Sequence, residues 1–200
     1  MFEADDNGGN LANGDITDNT LVDLVLPAQS IGGEYADLQA VSAAMRECEL
    51  LGGDNEISAY DDEELGVQML EILGESARVA FPCYCVRPIL CAHLKMIDRF
   101  CSIDVDLLDD TGQHRSMNLS NHRSVATIDG AYADLPMQLT SGWNHLAIDL
   151  NLVTRTAFGT GLSATCQVAV NGSCRVAKLF FEQEAYADAQ LPGHLQALST

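Results

Sequence analysis

Hydrophobic and polar residues alternate most clearly between residues 133 and 150. The apolar positions of 135–139 recur every second residue, which is typical of a strand with one buried face. The polar run 140–142 interrupts this pattern and supplies a turn, after which the alternation resumes over 146–150. Two short strands around a tight turn predict a β-hairpin.

Similar patterns predict further strands along the chain. They cover 21–26, 77–86, 100–108 and 115–121, and the polar turn 109–112 separates the last two. Asn171-Gly172 is a strong two-residue turn, so we predict a second hairpin from 164–170 and 174–181.

Three segments instead show the spacing of amphipathic helices. Apolar residues recur every three to five positions over 35–50, and a similar pattern with an acidic first turn covers 62–73. Pro88 suits the first turn of a short helix over 88–97. Residues 151–161 are expected to form a loop, and the segment after Phe181 a short helical turn and a tail.

These elements predict a mainly β fold, a β-sandwich or jelly-roll-like domain with a helical insertion. The domain is expected to span 16–200, after an irregular acidic lead-in at 1–15. An acidic helical insertion at 28–75 interrupts it, and we expect it to cover one face or one strand edge.

The net charge is −19, with 29 acidic and 10 basic residues. Phosphate backbones and anionic membrane surfaces repel such a chain, so nucleic acid and membrane partners are not expected. The sequence shows neither a secretory signal nor an apolar run long enough to span a bilayer. The charge favours a basic partner, or an assembly in which positive neighbours surround the protein.

The sequence predicts neither a metal site nor a cofactor. The seven cysteines are odd in number and lie mostly in apolar segments, so we interpret them as reduced, buried residues. Cys83, Cys85 and Cys91 lack the spacing of a zinc site. The N-terminal run DDNGGN lacks the alternate acidic positions of a calcium loop.

No motif predicts catalysis. His145 lies near Ser141 and Asp149 in the sequence, but no nucleophile elbow accompanies them, so a hydrolase is only an alternative. The stretch 159–161 lacks the third glycine of a phosphate-binding loop.

The predicted hairpin also contains the candidate core anchors. Trp143, the single tryptophan, is expected to bury its ring while its N–H finds a backbone partner. Leu146 and Ile148 are expected to face the core beside it. The alternative for Trp143 is stacking on a ligand.

Several stretches together resemble the cilia- and flagella-associated protein 20 family. The most specific are the run P-M-x-L-x-x-G-W-N and the run T-R-x-A-F-G-T, and the resemblance covers roughly 16–27 and 77–198 in order. The stretches are ITDN at 16–19, LVL at 24–26, FCSIDVDLLDD at 100–110, LSN at 119–121, LPMQLTSGWNHLAIDLNLVTRTAFGT at 135–160 and NGSCRVAKLFFEQEAYADAQLP at 171–192.

The resemblance implies a jelly-roll β-sandwich similar in shape to carbohydrate-binding modules. It also implies a non-enzymatic structural role on ciliary microtubules. Members of the family help close the inner junction of the axonemal doublet beside the parkin co-regulated protein, and related domains occur in centriolar and basal-body proteins.

This chain departs from the family in charge. The family's best-known member is basic and contacts acidic tubulin, whereas here Thr156 follows Arg155 where the family has paired arginines. We therefore expect a diverged acidic paralogue in the axoneme that docks on other axonemal proteins, at the doublet or the central apparatus, through the insertion. Microtubules are also an expected partner, with direct contact to tubulin and contact through other axonemal proteins both left open. The surviving candidates for contacts with acidic partners are Arg115, Arg123, Arg155, Arg175 and Lys178.

Two alternatives to an axonemal role remain open besides the hydrolase. One is a structural protein of the basal body or centriole. The other is a carbohydrate-binding-like jelly-roll module, which would need an exposed aromatic platform.

Overall fold

A computed structural model describes residues 49–53, 56–62, 67–193 and 195–196, together with the backbone of 22–26. Eleven strands, one α-helix and a short 3₁₀ helix at Asp188–Gln190 form these parts of the chain. In chain order the elements are β1 (Val22–Leu26), β2 (Glu49–Leu51), β3 (Ile57–Asp62), β4 (Val67–Ile72), β5 (Arg78–Cys85), β6 (Ile89–Asp109), β7 (His114–Ser120), β8 (Thr127–Asp129), β9 (Tyr132–Pro136), β10 (Trp143–Asp149), α1 (Leu150–Phe158) and β11 (Leu162–Glu182).

Two long strands organise the fold. β6 and β11 have 21 residues each and pair antiparallel along their whole length. The pairing runs from Leu162 opposite Asp109 to Glu182 opposite Ile89, with several register shifts. Since β-bulges bend a strand and increase its twist, such a pair can pass from one layer of a sandwich to the other.

The remaining strands join one or the other half of this pair. The first layer has the order β2-β5-β11-β6-β7-β9-β8. The second layer has β10 beside β6, while β1 and β4 pair with β11 on its other side and β3 pairs with β4. The predicted mainly β, sandwich-like fold is confirmed.

The core lies on the inner side of both layers. Ile103 and Val105 of β6 and Val170 of β11 are fully buried in the first layer, while Leu94 and Phe181 are fully buried in the second. One cluster contains all five, so the two layers share a single hydrophobic core.

The hairpin predicted over 135–150 is wrong. Its two strands exist, but β9 pairs with β7 and β8 whereas β10 pairs with β6. The side chain of Asn144 holds the corner between them, because its Oδ1 accepts from the Thr140 N–H at 2.8 Å and its Nδ2 donates to the Gly142 carbonyl at 3.0 Å. Alternation reveals a strand but not its partner.

The hairpin predicted around Asn171-Gly172 is also wrong, since β11 runs through both residues. Gly172 has a φ of +95° and lies at a register shift opposite Cys101. A glycine with positive φ suits a bulge as well as a tight turn.

Two predicted helices are strands instead. Of residues 62–73, the described residues 62 and 67–72 lie in the antiparallel pair β3–β4, and 89–97 belong to β6. Met69, Leu70 and the whole run 89–94 are buried, so both faces of these strands are covered. Strands buried on both faces lose strict alternation and are easily mistaken for helices.

The predicted loop at 151–161 contains α1. Asp149 caps this helix by accepting a hydrogen bond from the Leu152 N–H at 2.9 Å, and Gly159 ends it with a φ of +75°. Both are ordinary helix-boundary residues, so their positions could have indicated the helix. Among the described residues, no helix has the length and apolar character needed to cross a membrane.

The strands predicted at 21–26, 77–86, 100–108 and 115–121 are confirmed, as is the turn at 109–112. The lead-in at 1–15 lies outside the described residues, as does most of the helix predicted over 35–50. Within the described residues of 28–75, all regular secondary structure is β-strand, so the helices expected for the insertion are not found there.

Candidate functional site

The outer side of the first layer is a broad polar surface. Residues opposite one another in register place polar side chains from six strands on the same face. In five of these strands, all except β8, alternate residues fill the core. We call this surface the polar face. Its residues are Arg78, Ser102, Asp104, Asp106, Ser116, Asn118, Asp129, Tyr132, Asp134, Gln167 and Asn171.

Asp104 is the centre of the polar face. Its carboxylate accepts hydrogen bonds from the side-chain amides of Asn118 at 2.6 Å and Asn171 at 3.0 Å. Arg78 lies 3.5 Å from the same carboxylate and donates to Gln167 Oε1 at 3.2 Å. Side chains from four strands are thereby fixed relative to one another.

The remaining aspartates extend this arrangement towards β9. Asp106 accepts from the Ser116 hydroxyl at 2.6 Å. Asp134 accepts from the Tyr132 hydroxyl and from Arg123, each at 3.0 Å. These groups remain partly accessible to solvent, so the face can contact a partner without rearrangement.

Part of the outer side of the second layer, over the first half of β6 and the end of β11, is covered by the chain itself. Leu191 and Leu195 of the C-terminal segment pack against Ile89, Cys91 and Phe180, forming a second buried cluster. The predicted short helical turn appears there as the 3₁₀ helix. The two outer sides of the sandwich therefore differ, because the C-terminal segment covers part of the second layer, whereas no described segment covers the outer side of the first layer around Asp104.

The residues considered for a hydrolase do not assemble into a triad. His145 contacts His93 through their ring nitrogens, while Asp149 caps α1. Burial and the neighbouring His145 and Lys178 lower the pKa of His93 to about 4, so it is neutral at neutral pH. Asp188, on the 3₁₀ helix, opposes this shift.

A second polar cluster joins the β6–β7 turn to the loop after α1. The carboxylate of Asp109 is buried and accepts five hydrogen bonds, and these bonds hold the pKa of Asp109 far below its ordinary value. The donors are the Thr111 N–H and hydroxyl, the Gln113 N–H, Arg115 Nε and the Thr160 hydroxyl. This arrangement stabilises the fold.

Four of the five basic candidates already have partners inside the protein. Arg115 binds Asp109 at 2.9 Å and lies over the Phe158 ring, and Arg123 binds Asp134. Arg175 binds Glu71 at 2.8 Å and stacks on Tyr60 at 3.8 Å, while Lys178 is buried and donates to the Gln196 carbonyl.

Arg155 differs from these four. It is exposed on the outer side of α1, together with Leu152 and Thr156. No salt bridge involves it within the described ranges. Of the predicted contact residues, only Arg155 is therefore available without breaking an internal ion pair or a buried contact.

The predicted core anchors lie on both faces of β10. Leu146 and Ile148 are half-buried and pack against the main core. Trp143 was expected to be a core anchor, but its side chain is only half-buried. It lies opposite Lys95, on the same face of β10 as His145. Strand alternation places it two residues from His145 and therefore on the outer side.

The cysteines considered for a metal do not converge. Cys83 and Cys85 lie on the core side of β5, whereas Cys91 faces the C-terminal segment. The six described cysteines form no disulfide with one another, and four of them are buried.

The polar face was not predicted from the sequence. Outward positions such as Asp104 and Asp106 follow from the alternation in 100–108, but the partners Asn118 and Asn171 depend on strand register.

Among the solved structures to which this chain is similar are two carbohydrate-binding modules. One is the family 11 module of Clostridium thermocellum in complex with a mixed-linked tetrasaccharide, with a TM-score of 0.41 and 7% identity over 84% of this chain and 98% of the module. Another, solved with β-1,4-galactotriose, has a TM-score of 0.39 and 12% identity over 69% of this chain and 90% of that one.

Curated relatives share more of the sequence. Cilia- and flagella-associated protein 20 of Chlamydomonas reinhardtii is 27% identical over 150 residues, which cover 70% of this chain and 78% of that protein. The protein of the same name from Paramecium tetraurelia is 26% identical over 145 residues, covering 68% and 76% respectively. The family model of the CFA20 domain matches residues 38–199. The family resemblance predicted from the sequence is thus confirmed, and the chain belongs to the CFA20 domain family.

Proposed function

We propose that this protein is a non-enzymatic structural component of the ciliary or flagellar axoneme, docked on neighbouring axonemal proteins at the doublet or the central apparatus. The observation that supports this most directly is the CFA20 domain match across residues 38–199, together with relatives that are cilia- and flagella-associated proteins. The hydrogen bonds that commit His145 and Asp149 to structural contacts support a non-catalytic role.

The charge distribution favours contact with protein neighbours over direct contact with tubulin. The chain carries a net charge of −19, and internal salt bridges neutralise Arg115, Arg123 and Arg175. An acidic tubulin surface would repel such a protein at short range. Its position on the microtubule therefore depends on intermediary proteins.

One local exception is the outer side of α1. Arg155 and Leu152 are exposed one turn apart on this helix, which gives a small surface with one positive charge and one apolar side chain. We assign this surface to contact with an acidic neighbour in the assembly.

The proposal is tested by tagging the protein at its locus in a ciliated cell and fractionating isolated cilia. We expect the tagged protein to stay with axonemes after detergent extraction and to be released by high salt, because salt screens contacts between exposed charges. Proximity labelling then identifies the neighbours.

The Arg155→Glu variant tests the α1 surface, with Arg99→Glu as a control at another exposed arginine. We expect Arg155→Glu to be released at lower salt than the wild type, and Arg99→Glu to behave like the wild type. Release of the wild type by detergent alone would contradict the axonemal proposal. Restriction of the signal to basal bodies would favour the alternative of a basal-body or centriolar structural protein.

A further inference from the structure

We propose that the polar face docks an extended segment rich in lysine or arginine, contributed by a neighbouring protein. The inference rests on the proposed function in one respect, namely that the partner is expected to be another protein of the axoneme. Its physical basis is the arrangement of hydrogen-bond acceptors and charges on the first layer.

The orientation of two amides makes the polar face rich in acceptors. Asn118 and Asn171 both direct their side-chain nitrogen atoms towards Asp104. The carboxylate fixes this orientation, because a flipped amide would place its oxygen against another oxygen. The two amide oxygens are therefore left for other donors. The Asp106 carboxylate accepts from Ser116 through one oxygen, which leaves its second oxygen for a partner as well.

Lysine and arginine are the side chains that match such a surface. Both carry only donors, three for an ammonium and five for a guanidinium group, and both bring positive charge. A ligand with acceptors of its own, such as an acidic peptide, would find few donors here and would be repelled by the charge.

The charge of the polar face has the sign that this partner requires. Four carboxylates, those of Asp104, Asp106, Asp129 and Asp134, outnumber the guanidinium groups of Arg78 and Arg123. Each of these arginines is already paired with an aspartate of the face. The net charge of −19 adds a long-range attraction for cations and opposes the approach of a second copy of the chain.

The face also offers an aromatic contact and a defined length. Tyr132 is 44% exposed, and its ring can receive a cation while its hydroxyl is held by Asp134. The four steps from β5 to β9 span roughly 19 Å at about 4.8 Å per strand, which matches about six residues of extended peptide. Because the internal hydrogen bonds fix the side chains beforehand, docking would cost little ordering entropy.

The test uses the full chain and a capped peptide of alternating lysine and serine, about eight residues long, so that it exceeds the width of the face. Titration at physiological ionic strength, where the Debye length is about 8 Å, suppresses non-specific attraction. Chemical shifts of the isotope-labelled protein locate the peptide, and a glutamate–serine peptide is the charge-reversed probe.

Two double variants of equal net charge distinguish binding at the polar face from attraction by the net charge of the whole protein. One is Asp104→Asn with Asp106→Asn, and the control is Asp98→Asn with Asp110→Asn at exposed positions outside the face. Thermal melts establish that each is folded. The single variant Asp106→Asn, whose amide oxygen can still accept from Ser116, serves if the double variant unfolds.

We expect the lysine peptide to shift resonances of β6, β7 and β11, and we expect the polar-face variant to raise its Kd at least fivefold. The control should raise it less than twofold. Equal weakening by both double variants, shifts located on another surface, or equal binding of the glutamate peptide would overturn the proposal. None of these results would change where the tagged protein is found in cells, so this proposal and the proposed function can fail independently.

Discussion

Replacement of Gly172 by alanine tests whether β11 continues through residues 171–172 beside β6. Gly172 has a φ of +95°, and a Cβ placed there would overlap the backbone oxygen of Phe100. The Gly172 N–H also donates to the Ala77 carbonyl at 3.1 Å, which limits its ability to move away. The residue thus faces both a conformational and a steric restriction.

The magnitude follows from these two costs. A non-glycine residue in the left-handed region costs about 1–2 kcal/mol. Forcing an extra methyl group into a packed region adds about 1–3 kcal/mol, because a backbone atom cannot rotate away as a side chain can. Gly142 is a matched control, since its φ is +96° and a Cβ placed on it would meet nothing within 4 Å.

The assay is thermal or denaturant unfolding of the two alanine variants and the wild type. For a chain of this size, 1 kcal/mol shifts Tm by about 2–4 °C. We expect Gly142→Ala to lower Tm by roughly 5 °C and Gly172→Ala by roughly 10 °C or more, from the same relation. Equal losses would refute the reasoning, because in a simple hairpin turn at 171–172 alanine would be destabilising only through its φ.

Three further predictions concern polar groups. In the folded protein the pKa of His93 is about 4, whereas in the unfolded chain it is near the ordinary value of 6.5, so below pH 6.5 the unfolded chain binds one proton more than the folded protein. The free energy of unfolding should therefore fall by about 2 kcal/mol between pH 7 and pH 5. Urea titrations at each pH measure this loss, and His93→Gln should reduce it. Asp109→Ala removes the acceptor of five hydrogen bonds, and differential scanning calorimetry should show a Tm several degrees lower, whereas an unchanged Tm would contradict a structural role. Arg175→Ala should cost about 1–2 kcal/mol because it removes the ion pair with Glu71 and the ring contact, while Arg155→Ala should stay within about 0.5 kcal/mol in the same chemical denaturation series.

The sequence predicts strand positions better than strand partners. The alternation over 100–108 and 115–121 identifies β7 and the second half of β6, because one side of each faces the core and the other is polar. Nothing in the period of the pattern specifies that the strands on either side of 140–142 belong to different layers. That choice depends on the side-chain contacts of Asn144 and on pairing with a strand some 50 residues earlier.

The candidate site shows the same division between local and long-range information. Sequence reasoning selected Arg115 and Arg175 as contact residues because they are cations in an acidic chain. Asp109 lies six residues before Arg115 across the β6–β7 turn, so that pair is local, whereas Glu71 is 104 residues from Arg175 and becomes its neighbour only through folding. Arg155 stays exposed because its helix projects it away from the sheets.

The two halves of β6 explain why one outer side of the sandwich is open. Over 89–94 every residue is buried, since the core covers one face of the strand and the C-terminal segment covers the other. Over 103–109 buried and partly exposed residues alternate, because no other part of the described chain covers the outer face there. Loss of alternation within a single strand therefore marks a stretch whose two faces the protein covers itself, and strict alternation marks a stretch whose outer face the described residues leave accessible. By this physical criterion, the polar face around Asp104 has the accessibility that the proposed docking of a basic segment requires.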